Sequence, residues 1–215
     1  MVECECKAVH KRKRVVLTGG PGAGKTALLE LLRQSFCGHV RILPEAASIV
    51  FGGGFPRGND LLNQRAAQRA IFHIQRELES LGDDGKLAMV LCDRGTIDGL
   101  AYWPGPPEEF WSSVDTTLEH ELARYDAVIH LRTPPIEHGY NHQNPLRTES
   151  AAMAAEVDAR IAAVWTAHPR RFTVASSPDF LDKAARALHF LRQELPECCR
   201  RHVVPALKEP DRGTP

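Results

Sequence analysis

The sequence predicts one α/β domain built on a parallel sheet. Short apolar, β-branched runs alternate with helical segments, the run at Leu87 to Cys92 is apolar throughout, and a glycine-rich turn joins the first run to the first helix. Arg14 to Thr18 (RVVLT) reads as the first strand, and Lys25 to Phe36 as a helix with Leu28, Leu29, Leu31 and Leu32 on a broad apolar face. Val40 to Leu43 is the second strand, closed by Pro44, with a short helix over Glu45 to Val50 and a flexible loop at Gly52 to Gly58. Asp60 is placed to cap a long helix to Leu81, along which Ala67, Ala70, Ile71, Ile74, Leu78 and Leu81 recur at helical spacing.

After the turn Asp83-Asp84-Gly85, the Leu87 to Cys92 run suits a central strand buried on both faces. A stretch rich in proline and aromatics (Tyr102 to Trp111) leads into a helix ending near Arg124, and Ala127 to Leu131 is the fourth strand. Thr133 to Thr148 is a long polar loop, the kind that is either functional or disordered. A helix over Glu149 to Ala167, a fifth strand at Arg171 to Ala175 and a helix over Asp179 to Leu195 complete the pattern. Residues 1–13 are expected to be a flexible lead and 14–195 a single domain. From Pro196 the periodicity is lost, so 196–215 is expected to be a disordered tail.

Composition narrows the function classes. Lys plus Arg and Asp plus Glu each total 27 in 215 residues, and this balance argues against nucleic acid as the main partner, which normally requires a basic excess. No apolar run approaches the roughly 20 residues needed to cross a bilayer. The basic run Lys11 to Arg14 follows no apolar core, so the lead does not read as a signal peptide and a cytoplasmic protein is expected. Cys37 and Cys92 lie in apolar contexts and are expected to be buried thiols. Cys4, Cys6, Cys198 and Cys199 form C-x-C and C-C pairs, neither of which has the C-x-x-C spacing of a zinc knuckle, and they read as reduced surface thiols rather than a terminal metal clasp.

Gly19-Gly20-Pro21-Gly22-Ala23-Gly24-Lys25-Thr26 fits G-x-x-x-x-G-K-S/T at each fixed position, and it stands between a strand and a helix. Its glycines let successive backbone N–H groups converge on phosphate oxygens, with the helix dipole behind them. Lys25 is expected at the β/γ oxygens and the Thr26 hydroxyl on Mg²⁺, with residues Gly19 to Ala27 as the nucleotide-binding segment. The buried strand ends in Asp93-Arg94-Gly95. An aspartate there is suited to holding Mg²⁺ through water, and a guanidinium beside the phosphates favours phosphoryl transfer over activation of water. The base-reading motif N-K-x-D of switch GTPases is absent, and D-x-x-G fails after Asp93; GTP nevertheless stays open as a ligand beside ATP.

The set GGPGAGKT, PEAA, DRGTIDGLAYWPG and NPLRTES is similar to the NadR/Ttd14-type AAA-like P-loop ATPase/kinase family, over roughly Arg14 to Leu195. The resemblance implies a P-loop NTPase domain with the kinase-like strand order 2-3-1-4-5 and a lid over about 133–148. It implies ATP and Mg²⁺ with a small-molecule hydroxyl acceptor, as in nicotinamide riboside kinases. The family's other branch, a GTP- and lipid-associated trafficking factor, implies a regulatory protein with slow hydrolysis and peripheral lipid contact. By the same resemblance Glu45 takes the place of the carboxylate that accepts the acceptor's proton, though a helix-start glutamate favoured by the dipole reads equally well. Arg147 in the lid is placed to reach the transferring phosphoryl group, with Arg132 a second candidate. Gln64, Gln68 and Gln75 share a face of the long helix, beside Arg65 and Arg69. Gln75 reads as solvated and Gln68 as an even choice between solvent and the acceptor pocket, while Asp98, Tyr102 and Trp103 either wall that pocket or pack under a loop.

Overall fold

The computed structural model describes residues 4–81, 85–134 and 151–200. Strands β1 (Lys13–Thr18), β2 (Val40–Leu43), β3 (Met89–Asp93), β4 (Ala127–Leu131) and β5 (Arg171–Val174) form a five-stranded sheet in the order β2-β3-β1-β4-β5. Every pairing is parallel, so all strands end on one edge of the sheet. This is the strand order of the P-loop kinase fold.

Side chains alternate between the faces, as a two-residue period requires. Val15, Leu17, Met89, Leu91 and Ile129 enter a core shared with helices α1 (Lys25–Ser35) and α7 (Phe180–Glu194). Val16, Val90, Cys92 and Val128 enter a second core with Ile161 and Trp165, on and just beyond helix α6 (Ala151–Val164). The sheet is therefore covered on both sides, which is why β3 could be apolar throughout. Helix α2 (Ala46–Gly52) packs on α3 (Leu61–Ser80), whose N-terminus is capped by Asp60 accepting from the Asn63 amide at 3.0 Å. A satellite core of Phe72, Trp103, Phe110 and Val114 lies apart from the other two.

The structure corrects several expectations. The segment after β3 is a 3-10 helix, Thr96–Tyr102, which the sequence reading left unassigned. The helix expected to end near Arg124 is two, α4 (Pro107–Ser113) and α5 (Leu118–Ala123). The break lies at Asp115, in the left-handed region at φ 51°, after which Thr117 caps α5 by accepting from His120 N at 3.2 Å. The expected tail contains α8, Glu197–Arg200, anchored by the buried Cys199. The start of the helix expected from Glu149 and most of the 133–148 lid lie outside the described residues.

A buried polar network holds the 3-10 helix in place. The Thr96 hydroxyl donates to Glu121 at 2.6 Å, and its amide donates to the Tyr125 hydroxyl at 2.8 Å. Tyr125 in turn donates to Glu79 at 2.8 Å, and Arg124 bridges Glu79 and Glu121 at 2.6 and 2.7 Å. Both carboxylates are buried, and each is satisfied by a cation and a hydroxyl, as burial of charge requires. Gly95, just ahead, leaves room for packing: a Cβ there would lie 2.9 Å from the Trp165 ring and 3.1 Å from Val16. Gly95→Ala should therefore destabilise the fold by about 1–3 kcal/mol through overpacking, measured as a lowered denaturation midpoint at unchanged slope.

Candidate active site

The common edge of the parallel sheet brings the chain's strand ends together. Thr18 leads into the glycine-rich turn, Leu43 into Pro44-Glu45, and Asp93 into Arg94. The turn's start is fixed by contact: Gly19 has φ 141°, and a Cβ on it would sit 2.1 Å from the Leu131 carbonyl oxygen. At its end Gly24 begins α1 with no side-chain cap, and the first turn carries no acidic residue. The leading N–H groups of α1 therefore lack a side-chain acceptor, and an anion is the natural complement.

Lys25 is buried beneath the turn, its Nζ donating to the Gly19 oxygen at 2.9 Å and the Gly20 oxygen at 3.4 Å. Burial and the neighbouring Arg94 charge lower its pKa to about 8, against the pull of Asp93, Glu45 and Asp98. Phosphate oxygens would relieve that cost. Thr26 lines the same cleft, whereas Ala27 is exposed and does not; Ala23 is buried and contributes its carbonyl to the turn's underside.

Asp93 is buried at the end of β3, and its Oδ1 has no hydrogen-bond partner among the described residues. Burial is the main reason its pKa is raised to about 6, with Lys25 and Arg94 opposing and Glu45 and Asp98 reinforcing. An unpartnered buried carboxylate oxygen beside a cleft with a threonine hydroxyl suits a hard divalent cation. The residues fit Mg²⁺ on that ground.

Arg94 connects the other groups. Its backbone is left-handed, at φ 71°, which turns the side chain back over the strand end. Its Nε donates to Glu45 Oε1 at 2.8 Å, Nη1 donates to the Gly19 carbonyl at 3.2 Å, and Asp98 lies at 3.6 Å. The guanidinium also lies over the Tyr102 ring at 5.7 Å. Asp98 is held by the Thr18 hydroxyl and the Gly95 amide. Burial alone would raise the Glu45 carboxyl, but Arg94 and the Ser48 hydroxyl, which donates at 2.6 Å, hold it down at about 2.

From the glycine-rich turn the cleft extends into a chamber between α2, α3 and the 3-10 helix, and turn and chamber together have a volume of about 430 Å³. Phe51, Arg57, Gln68, Phe72, Gln75 and Tyr102 line its far part. Gln75, expected in solvent, is buried and donates to Glu79 at 2.8 Å, because α3 turns this face inward. Gln64 faces away and bonds the Asn59 carbonyl. Trp103 belongs to the satellite core, and Arg65 lies over its ring. Arg69 lines a separate shallow depression with Trp103. The Gly52–Gly54 turn does not line the chamber; the residues flanking it, Phe51 and Arg57, do, with the Arg57 guanidinium 4.2 Å from the Phe51 ring centre.

Sequence reasoning missed the scaffold behind the turn. Asp158 on α6 accepts from the Gly20 amide at 2.9 Å, binds His130 at 2.8 Å and pairs with Arg132 at 3.1 Å. Lys183 on α7 donates to the Ala23 carbonyl at 2.8 Å and the Arg132 carbonyl at 2.6 Å. Arg132 is thus engaged with Asp158 and is not among the residues lining the cleft. The available signal was a polar residue set among apolar positions: His130 inside AVIHL, and Asp158 beside Val157. Arg147, with His138 and His142, lies outside the described residues.

The raised Asp93 pKa has a stability consequence. Its protonated form is favoured in the folded state, so the associated stability is present below about pH 4 and lost as pH rises to about 6. Without Mg²⁺, Asp93→Asn should keep of order 2 kcal/mol that the wild type loses across that window, read as a melting-temperature difference that grows between pH 4 and 6.

A family model described as an AAA domain matches residues 14–183. No curated protein matches the chain. Among solved structures the chain is similar to the NadR protein in complex with NR, at TM-score 0.57 and 18% identity, covering 86% of this chain and 52% of that one. The chain thus spans about half the length of that protein. It is also similar to thymidylate kinase from Ehrlichia chaffeensis, at TM-score 0.55 and 15% identity, covering 85% of this chain and 98% of that one. At these identities the structural likeness is one of fold. The chain belongs to this AAA-domain family, on a P-loop fold of the nucleoside and nucleotide kinase type.

Proposed function

We propose that this protein is a magnesium-dependent phosphotransferase that moves the γ-phosphoryl group of ATP, or of GTP, to a hydroxyl of a nucleoside-sized small molecule. The observation that carries the proposal is the continuity of the cleft, which runs from Lys25 and Thr26 past Glu45 and Arg94 to the side chains of α2, α3 and the 3-10 helix. A volume of about 430 Å³ falls within the usual range of small-molecule sites, roughly 300–1,000 Å³. Aromatic rings, two side-chain amides and Arg57 supply stacking and directional polar contacts for a planar polar acceptor.

In this reading the turn from Gly19 to Thr26 holds the phosphates, and Lys25 neutralises the β/γ oxygens. Thr26 and Asp93 would hold Mg²⁺, which when bound spreads positive charge over the same oxygens. Arg94 stabilises the charge on the group in transit, and its guanidinium is already fixed by Glu45 and Gly19. Glu45, ionised at neutral pH, accepts the hydrogen bond and then the proton of the acceptor hydroxyl. Sharing of the Arg94 charge with the phosphoryl group raises the basicity of Glu45. In phosphoryl transfer positioning outweighs basicity, so an oriented carboxylate suffices. Arg147 is assigned to the lid by the sequence pattern alone. No helix among the described residues is long and apolar enough to cross a membrane.

Glu45→Gln should reduce transfer by about 10²–10⁴-fold while nucleotide affinity stays largely unchanged; equal loss of both removes Glu45 as the base. The assay is Mg²⁺ with ATP or GTP against a panel of nucleosides and related metabolites, with products followed by mass spectrometry and Lys25→Ala as the blank. Tight nucleotide binding with no transfer to any acceptor would instead favour a slowly hydrolysing regulatory protein.

A further inference from the structure

Five of the chain's six cysteines converge on one place, far from each other in sequence and together with two histidines. Cys4, Cys6 and His10 come from the segment before β1, Cys37 and His39 from the turn between α1 and β2, and Cys198 and Cys199 from α8. Because His39 immediately precedes β2 in an all-parallel sheet, this cluster lies at the edge opposite the nucleotide cleft.

The distances are those of a coordination sphere. Cys37 Sγ and Cys199 Sγ are 3.5 Å apart, and His39 Nδ1 lies 3.7 Å from the first and 3.6 Å from the second. A tetrahedral zinc with Zn–S near 2.3 Å and Zn–N near 2.0–2.1 Å places its ligand atoms about 3.8 Å apart for S···S and about 3.6 Å for S···N. The three atoms therefore form one face of such a tetrahedron. Two further thiols adjoin this face: Cys4 Sγ lies within 4.8 Å of the Cys37 and His39 donors, and Cys198 Sγ within 4.8 Å of those of His39 and Cys199. Beside it, His10 Nε2 is 3.5 Å from both Cys6 and Cys198, and Cys198 Sγ is 3.7 Å from Cys199 Sγ.

All of these cysteines are free thiols, and Cys37 and Cys199 are buried. Thiols and imidazoles at this spacing have poor hydrogen-bonding partners in one another, and a soft thiolate and imidazole set selects zinc over hard cations. We propose that Cys4, Cys37, His39 and Cys199 bind a structural zinc ion, with Cys6, His10 and Cys198 as an adjoining set able to take a second. The ion ties the segment before β1 and helix α8 to the start of β2. The expectation of surface thiols fails for Cys199, which is buried, and the pairs lack zinc-knuckle spacing because the proposed ligands come from three separate segments.

The test uses the full chain without a polyhistidine tag, purified with a non-chelating reductant. One or two equivalents of zinc by mass spectrometry, and an intense thiolate-to-metal charge-transfer band with tetrahedral d–d absorption after exchange for Co²⁺, are expected. One equivalent assigns the inner set alone and two assign both. Cys37→Ser should weaken zinc retention against a chelator by at least about 10-fold, while Cys92→Ser, on β3, keeps the metal. Should Cys37→Ser fail to fold, the half-buried Cys4→Ser gives the same comparison. Freshly reduced protein with less than roughly a tenth of an equivalent of zinc and an octahedral-type Co²⁺ spectrum overturns the proposal, as does a native Cys37–Cys199 disulfide. None of these readouts depends on nucleotide turnover.

Discussion

The cleft depends on the Arg94 guanidinium and the carboxylates that compensate it. A buried cation must find anions, and Arg94 takes Glu45 from the β2–α2 junction and Asp98 from the 3-10 helix while donating to the Gly19 carbonyl. One side chain thereby links the ends of three adjacent strands. Its left-handed backbone is what turns it toward them, and a non-glycine residue in that region is held there by its surroundings. The phosphate turn, the carboxylate facing the chamber and the strand-end aspartate consequently share one electrostatic environment.

In the proposed reading that environment is suited to ligands rather than to its own stability. Lys25 and Asp93 are both displaced toward neutrality by burial, the lysine to about 8 and the aspartic acid to about 6. Both displacements are costs that phosphate and a divalent cation would remove. Glu45 is the opposite case, kept ionised by Arg94 and Ser48 despite its partial burial. Carboxylates of opposite tendency also occur in the polar network nearby, where burial raises Glu79 while Thr96 and Arg124 lower Glu121, but there each carboxylate has its own hydrogen-bond donors.

Rigidity at the phosphate turn comes from behind. Asp158 takes one turn amide while locking His130 on β4, and Lys183 takes the Ala23 carbonyl from the other side. The turn is thus held by helices α6 and α7 as well as by the strands flanking it. A preorganised turn loses little freedom on binding an anion, and more of the interaction then appears as affinity.

The alternation of strands and helices, the glycine-rich turn and the position of Glu45, Asp93 and Arg94 at strand ends could be read from the chain because each depends on neighbours in sequence. A parallel sheet puts every strand's C-terminal end on one edge, so residues just after strands meet without further information. Other features needed the folded chain. Gln75 was misplaced because helical spacing gives a residue's face but not what covers it, while Trp103, open between the pocket wall and packing under a loop, lies in the satellite core. Asp158, Lys183 and the cysteine–histidine cluster rest on approaches between segments more than a hundred residues apart, as in Gly20 to Asp158 or Cys37 to Cys199. Sequence by itself determined the local geometry and the chemistry available at each strand end. Only tertiary packing decided which distant donors and acceptors met, because burial forces polar groups to find partners wherever the fold brings them.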